Sequence, residues 1–402
     1  MEKYEQKTEF QQTLEGIVRE GARKMLQQAV ENEIEEFIKQ FCDVKDEQGH
    51  RVVTRNGYLP ERDIQTGIGP LKIKKPRVKG ETFTSALLPK YMRRTPSLDA
   101  LIPALYLKGV STGNMSEALA AILGDQAKGL SATNICRMTQ CWEEEYKEWC
   151  RRDLSYKEYV YFWVDGIYFN VRLADDRPCS LVIMGALSNG TKEMVAIHDG
   201  ERESKLSWKT VLQDLKSRGL KNGPKIAIGD GALGFWAAIE EEFPGCGHQR
   251  CWVHKTANIL DKMPKSVQVD AKKMIHDMYM APTKKDGLKA MDDFISLYEA
   301  KYPKACQCLE KDKEQLFTFY DYPAEHWQHI RTTNPIESTF ATIRHRSRQT
   351  KGCGSRVATL SMIFKLSMSA ESHWRKLRGS QKIIKVMNGV VFKDGEEVET
   401  AA

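Results

Sequence analysis

The stretch 159-YVYFWVDGIYFN-170 sets one carboxylate, Asp165, among aromatic and aliphatic neighbours: Tyr159, Tyr161, Phe162, Trp163 and Val164 before it, Ile167, Tyr168 and Phe169 after it. Such a density of aromatic and β-branched residues reads as strand. A lone carboxylate is seldom buried unless something pairs with it. Asp-Gly between apolar runs is also a strong hairpin signal, which would put Asp165 and Gly166 in a turn between "YVYFWVDG" and "IYFNVRLAD". Two readings therefore stand for Asp165: a turn residue, or a ligand for a cation.

Downstream, "CSLVIMGAL" (179–187) reads as a further strand, and Trp208, Val211, Leu212 and Leu215 mark a helix. The short apolar run "PKIAIGDG" (224–231) reads as a buried strand ending at Asp230. The helix "ALGFWAAIEEEF" (232–243) and a strand "QRCWVHK" (249–255) come next. Strands followed by helices alternating with strands give an α/β pattern. Residues 259–328 read as helices throughout, another helix begins at 334, and the last twenty or so residues fade into an acidic tail.

Upstream, apolar positions from Phe10 to Phe41 fall near helical period. Leu71, Ile73 and Val78 alternate inside the Gly/Pro-punctuated "TGIGPLKIKKPRVKG", which suggests a small basic β element. Two or three helices follow. Their rhythm around "GVSTGNMSEALAAILG" and "GLSATNICRMTQCW" is close to helix-turn-helix, with Ser131 as N-cap and Thr133, Asn134, Arg137 and Gln140 on the exposed face. An ordinary helical bundle produces the same rhythm. The expected segments are a helical region 1–65, a basic strand and linker element 66–95, and a helix-turn-helix-like region 96–152. An α/β core then covers 153–262 and 329–380, split by helices 263–328, before the tail 381–402.

The chain has 402 residues, with 61 basic against 54 acidic and a formal charge of +7. That mild excess suits a polyanionic partner without requiring one. Its distribution says more. Lys72, Lys74, Lys75, Arg77 and Lys79 lie in a run without an acid, and 331–351 carries Arg331, Arg344, Arg346, Arg348 and Lys351 against Glu337 alone. The cysteines have no framework spacing, the N-terminus lacks a signal-peptide pattern, and no apolar run approaches membrane-spanning length. A soluble, reduced, cytoplasmic protein is expected, with no membrane partner.

Two further acids sit where a site is possible. Asp230 ends a strand, where it either caps the next helix or binds a cation. Glu337 follows Asn334 and Pro335, the spacing of a capping box. Taken together, the three acids suit one end of a sheet. Clustered carboxylates are costly to keep ionised unless they hold a divalent metal, and two such ions serve phosphoryl transfer. On helical spacing Glu337, Ala341, Arg344 and Arg348 share a face, and Ile336, Phe340 and Ile343 share one that would pack inward.

The blocks "WVDGIYFNVRL", "AIGDGALGFW", "QRCWVHKTAN" and "YPAEHWQHIRTTNPIESTFATIRHR" resemble the signature blocks of the Mutator-like bacterial insertion-sequence transposases, in order and densest from about 158 to 352. The resemblance implies a DDE enzyme with an α/β RNase H-like catalytic core. An all-α insertion domain would interrupt that core, and a mainly helical DNA-binding region would precede it. It implies Asp165, Asp230 and Glu337 as catalytic residues and ligands of two Mg²⁺ or Mn²⁺ ions. It further implies cleavage at the ends of an insertion sequence and joining of the freed 3′-OH groups to target DNA, by a homodimer or higher oligomer on double-stranded DNA. Two rivals stay open: a nuclease or resolvase of the same core that joins nothing, and a non-catalytic DNA-binding regulator.

"GCGHQRCWVHK" packs Cys246, His248, Cys251 and His254 together. It lacks the two separated ligand pairs of a structural zinc site, and strand alternation would point some ligands apart. The resemblance places Cys251 and His254 in the family's C-x-x-H motif, where they would shape the site; a partly buried, satisfied histidine is the plainer reading. Trp327 either stacks on an unpaired base or is a packing residue. Lys72, Lys74, Lys75, Arg77, Arg137, Trp327, Arg331, Arg344 and Arg348 are the expected DNA contacts, with Arg331 as a phosphate clamp.

Overall fold

Alternation along the basic segment builds a small sheeted layer under a long helix. The computed structural model describes residues 2–108, 110, 114–123, 132–168, 179–200, 202–231, 233–349 and 355–398. The chain divides into two compact units, Met1–Met138 and Thr139–Ala402.

In the first unit, helix α1 (Glu2–Lys39) precedes strands β1 (Thr54–Tyr58), β2 (Arg62–Thr66), β3 (Gly69–Ile73) and β4 (Pro76–Lys79), then helices α2 (Pro96–Leu107) and α3 (Met115–Leu123). β2 pairs antiparallel with β3, and β1 with β4. Leu71 and Ile73 point into a core with Val30, Ile64 and Leu88, while Lys72, Lys74 and Arg77 stay exposed. The inward residues stabilise by leaving water, and the outward ones keep their charge solvated. The Gln27 side chain of α1 bonds both the N–H and the carbonyl of Lys74, fixing the basic edge on the helix.

Helix α4 (Ala132–Cys150) runs across the unit boundary, and Ser131, its expected N-cap, lies outside the described residues. The side chains of Thr133, Asn134, Arg137 and Arg348 lie outside them as well.

The second unit is built on a mixed five-stranded sheet. Its strands are β5 (Tyr159–Tyr168), β6 (Cys179–Leu187), β7 (Lys192–Gly200), β8 (Ile226–Gly229) and β9 (Gly247–Arg250), in the order β7-β6-β5-β8-β9. β5, β6 and β7 pair antiparallel, whereas β8 and β9 run parallel to β5. Helix α5 (Lys205–Ser217) follows β7, and α6 (Leu233–Glu242) follows β8. Trp208, Leu212 and Leu215 of α5 and Phe235 and Ile239 of α6 close over Phe162, Val164, Leu181 and Ala227. On the opposite parity of β5, the Tyr161 hydroxyl meets His326 Nδ1 at 2.6 Å, and Trp163 donates to the His329 carbonyl at 2.8 Å. With both faces covered, β5 reads as a nearly continuous apolar run.

After β9 the chain is helical: α7 (Trp252–Leu260), α8 (Lys265–Met280), α9 (Lys284–Tyr298), α10 (Pro303–Glu310), α11 (Lys313–Leu316) and α12 (Trp327–Ile330). It returns through α13 (Asn334–Gln349) and α14 (Arg356–Glu371), then ends in α15 (Ile383–Met387) and a hairpin of β10 (Phe392–Lys393) and β11 (Glu396–Glu397). No helix among the described residues is long and apolar enough to cross a membrane.

Four details depart from the expectation. The Asp165-Gly166 pair makes no hairpin turn: β5 runs straight through it, with Asp165 paired to Val182 and Gly166 to Leu181. Gly166 is absent from the positive-φ glycines, so the backbone condition of such a turn is unmet. "KEMVAIHDG" is an edge strand whose polar residues hide its alternation. "QRCWVHK" is half strand and half helix, breaking at Cys251. The tail folds instead of fading: Phe392 is buried, and Gly395 exchanges backbone hydrogen bonds with Tyr320 and Ala324.

Candidate functional site

Parallel pairing brings the two aspartates together. The β5–β8 register ends at Trp163 opposite Ile228; Asp165 stands two residues further along β5, and Asp230 just past the end of β8. Burial first, then the charge of Asp230 and that of Glu203, raise the Asp165 carboxyl to about 7, against an opposing pull from His254. Its Oδ1 accepts a 2.8 Å hydrogen bond from the Gly166 N–H. The carboxylates of Asp165, Asp230 and Glu203 thus share one poorly hydrated corner, a costly arrangement without a counter-charge.

Glu203, between β7 and α5, was not singled out from the sequence. Burial and the field of Asp230 raise its pKa. Gly166 makes room for it: a Cβ there would collide with the Glu203 carboxylate. Gly166→Ala should therefore swing the Glu203 carboxylate out of the corner at little cost in stability, because only the end of a flexible side chain has to move. Denaturant melts and a titration of Asp165 check this: near-parental stability with a lowered Asp165 pKa is expected, and an unmoved pKa would show that Glu203 had kept its place. The available signal for Glu203 was its place immediately before Ser204, whose side chain caps α5.

Arg250 frames the other side. It donates to the backbone carbonyl of Asp230, and its Nε lies 3.2 Å from Asp312. An open cleft of about 400 Å³ is bounded by Tyr168, Glu203, Asp230, Gly231, Arg250 and Asn258.

Glu337 arrives on the first turn of α13, which Ile336, Phe340 and Ile343 seat inward, each fully buried. The first helical carbonyl is that of Thr333, which accepts from the Glu337 N–H at 3.0 Å. The cap therefore sits one residue before Asn334. The buried Thr333 hydroxyl donates to Glu337 Oε1 at 2.5 Å. The same hydroxyl oxygen lies 3.2 Å from Cys251 Sγ and 3.3 Å from His254 Nδ1. Thr333 was missed in the sequence, although a hydroxyl ahead of Asn-Pro at a helix start was a readable cap signal.

Cys251 follows β9 as the N-cap position of α7, and His254 lies in the first turn of that helix. Burial raises the Cys251 thiol, but hydrogen bonds from His254 and Thr333 outweigh it and bring its pKa below the ordinary thiol value. His254 is raised to about 9, chiefly by its bond to Cys251, with further support from the charges of Glu337 and Asp230. Its Nδ1 stands 3.7 Å from Glu337 Oε1. His254 therefore couples electrostatically to the strand acids and to the helix acid. Cys246 and His248 do not join this group: His248 packs at a tilt against Trp236 with centroids 4.7 Å apart, and Cys246 packs against the core.

The expected DNA contacts fall in several places. Lys72 and Arg77 lie on strands of the first unit, and Lys75 is half-buried with its ammonium 5.0 Å from the Phe83 ring centroid. Arg344 is exposed on α13, 5.7 Å from the Phe340 centroid. Arg331 turns to α8, donating to the Tyr279 carbonyl at 2.9 Å. Trp327 sits edge-on to Phe319 and Tyr320, with its indole N–H donated to the Tyr322 carbonyl at 2.8 Å, which is the packing role.

Sequence comparison fits this arrangement. Residues 1–377 match the family described as transposase, Mutator family, and the chain belongs to that family. It is 49% identical over 283 residues to the transposase for insertion sequence element IST2 of Acidithiobacillus ferrooxidans, covering 70% of this chain and 95% of that one. It is 47% identical over 302 residues to the transposase for insertion sequence element IS6120 of Mycolicibacterium smegmatis, covering 75% and 93%. The transposase for insertion sequence element IS256 in transposon Tn4001 of Staphylococcus aureus is 28% identical over 382 residues, covering 91% of this chain and 94% of that one.

Proposed function

We propose that this transposase is a DDE enzyme that binds the ends of its insertion sequence, cleaves them by metal-dependent hydrolysis and joins the 3′-OH ends to target DNA. The observation that carries the reading is the convergence of Asp165 and Asp230 beside His254, which in turn touches Glu337. Three antiparallel strands continued by two parallel ones support an RNase H-like core, and the helical stretch 263–328 would be the corresponding insertion.

The donor set suits hard divalent cations. Asp165 is buried against two further carboxylates without a lysine among its electrostatic partners, so a cation relieves the strain that raises its pKa. Asp165, Asp230 and Glu337 would hold Mg²⁺ or Mn²⁺, two ions to the site, which supply nucleophile activation and charge neutralisation for phosphoryl transfer. The chain's own groups do the rest. β5 and β8 fix the aspartates on a rigid sheet, Thr333 holds one Glu337 oxygen, and Arg250 anchors the Asp230 backbone. His254, protonated at neutral pH, offers a positive N–H toward the phosphate. In the first unit the exposed Lys72, Lys74 and Arg77 track the DNA backbone, and two or more copies bring two ends together.

Incubating the full chain and Mg²⁺ with DNA carrying the element's terminal sequence, and separately with pre-cut ends and a target plasmid, tests the reading. Cleavage and joining are expected. Cleavage without joining would favour the nuclease alternative, and end binding indifferent to metal with no cleavage would favour a regulator.

Thr333→Val removes the hydroxyl at nearly constant shape, while Thr333→Ser keeps it. The Val variant should lose roughly 10–100-fold in rate, the range for groups that orient ligands, and the Ser variant should recover much of it. Equal loss in both would assign Thr333 to packing alone. Changing Lys72, Lys74 and Arg77 to Glu should weaken end binding and flatten its salt dependence, by ~0.9 in log–log slope for every phosphate no longer neutralised. An unchanged slope would remove that strand edge from the interface.

A further inference from the structure

We propose that Cys251, His254 and Glu337 form a site for a thiophilic divalent metal such as Zn²⁺, which occupies the helix-borne acid and inhibits the enzyme. A sulfur, a ring nitrogen and a carboxylate oxygen from these residues lie within 4.8 Å of one another. His254 Nδ1 and Glu337 Oε1 are 3.7 Å apart. Tetrahedral zinc with bonds of ~2.0–2.3 Å spaces its donors roughly 3.3–3.8 Å apart, so closing this set needs about an ångström of contraction. Thr333 Oγ1 stands 2.5 Å from the carboxylate oxygen, 3.2 Å from the sulfur and 3.3 Å from the ring nitrogen. This hydroxyl, a hydrogen-bond partner of the carboxylate, would have to turn aside for the ion, and water would take the fourth corner as in open zinc sites.

The donors divide the metals by softness. Thiolate and imidazole select zinc, cadmium or cobalt, whereas the neighbouring all-oxygen corner of Asp165 and Asp230 suits Mg²⁺. Cys251 Sγ is already an acceptor, bonded by the Thr333 N–H at 3.3 Å. Access runs past His254 and Glu337, whose side chains are 34% and 29% exposed. Because Glu337 belongs to both sets, soft-metal binding competes with Mg²⁺; that clause rests on the function proposed above, while the binding itself does not.

The test is a titration of the metal-free full-length protein with Co²⁺, followed by thiolate-to-cobalt charge transfer and by the visible bands of a tetrahedral ion, then Zn²⁺ displacement. One equivalent with a thiolate band is expected. Cys251→Ser should remove the band. His254→Asn and Glu337→Gln should weaken binding by roughly tenfold or more. Cys246→Ser should leave the spectrum unchanged. Should Cys251→Ser fail to fold by circular dichroism, the other two variants carry the test. A spectrum without thiolate character, or affinities equal in the His254 and Glu337 variants and the parent, overturns the site and leaves a hydrogen-bonded cluster around Thr333. In cleavage assays Zn²⁺ should inhibit and excess Mg²⁺ should relieve the inhibition. Stoichiometric Zn²⁺ binding without inhibition would keep the metal site and sink the shared role of Glu337.

Discussion

Asp165→Asn, Asp230→Asn and Glu337→Gln are each expected to abolish cleavage and joining while leaving the fold and end binding intact. The amides preserve shape and some hydrogen bonding but remove the charge that would hold a divalent cation in the proposed site, and with it nucleophile activation and charge stabilisation. Were the acids only turn or cap residues, Asn and Gln would serve nearly as well. Asp165 carries a second readout. Its carboxyl is raised to about 7 in the fold, against an ordinary value near 3.8. Between those values the folded state holds a proton that the unfolded chain has lost, so metal-free stability falls as pH rises through that window and levels off above it. Asp165→Asn should therefore be the more stable protein at neutral pH without metal. The difference should vanish near pH 4, about the ordinary aspartate pKa. Mg²⁺ or Mn²⁺ should raise the melting temperature of the parent but not of the variant, by mass action on the folded state. Metal-dependent cleavage retained by any one variant would remove that residue from the site.

Asp312→Asn should be strongly destabilising, by ~3–5 kcal/mol, because it leaves a buried lysine without its counter-ion. Lys255 is 2% exposed, and its Nζ lies 2.6 Å from Asp312 Oδ2. The same oxygen stands 3.2 Å from Arg250 Nε, and Arg250 also holds the Asp230 carbonyl. The carboxylate thus joins the helical excursion to the end of β8. Denaturant unfolding should show the loss. Lys255→Met combined with Asp312→Asn should recover part of it, since no buried lysine charge is then left uncompensated. If the single and double variants are equally stable, the pair is not what holds the two elements together. Cleavage should fall in the single variant even below its melting point, because Arg250 loses the anchor that aims it at Asp230.

The sequence by itself determined the materials of this protein: strand-forming density around Asp165, the short apolar strand before Asp230, the inward face of α13 at Ile336, Phe340 and Ile343, and the alternation of Leu71 and Ile73 against the lysines. These signals are local, set by residue type and by periods of two or 3.6, so they survive without coordinates. The family, too, was legible in the ordered blocks from Asp165 to Arg346. Tertiary structure decided what no period encodes. A hairpin signal at Asp165-Gly166 lost to pairing with Val182 and Leu181, because β6 supplies ladder partners on through to Tyr168. Glu203 joined the aspartates because Gly166 lacks a Cβ, a fact that matters only once the turn before α5 is laid against β5. Cys251 and His254 left Cys246 and His248 and met Thr333 and Glu337, eighty or so residues away. The backbone changes from strand to helix at Cys251, which turns those two side chains toward α13. The identity of each acid was written in the chain; which of them share one dehydrated corner was settled by strand register and by the space between side chains.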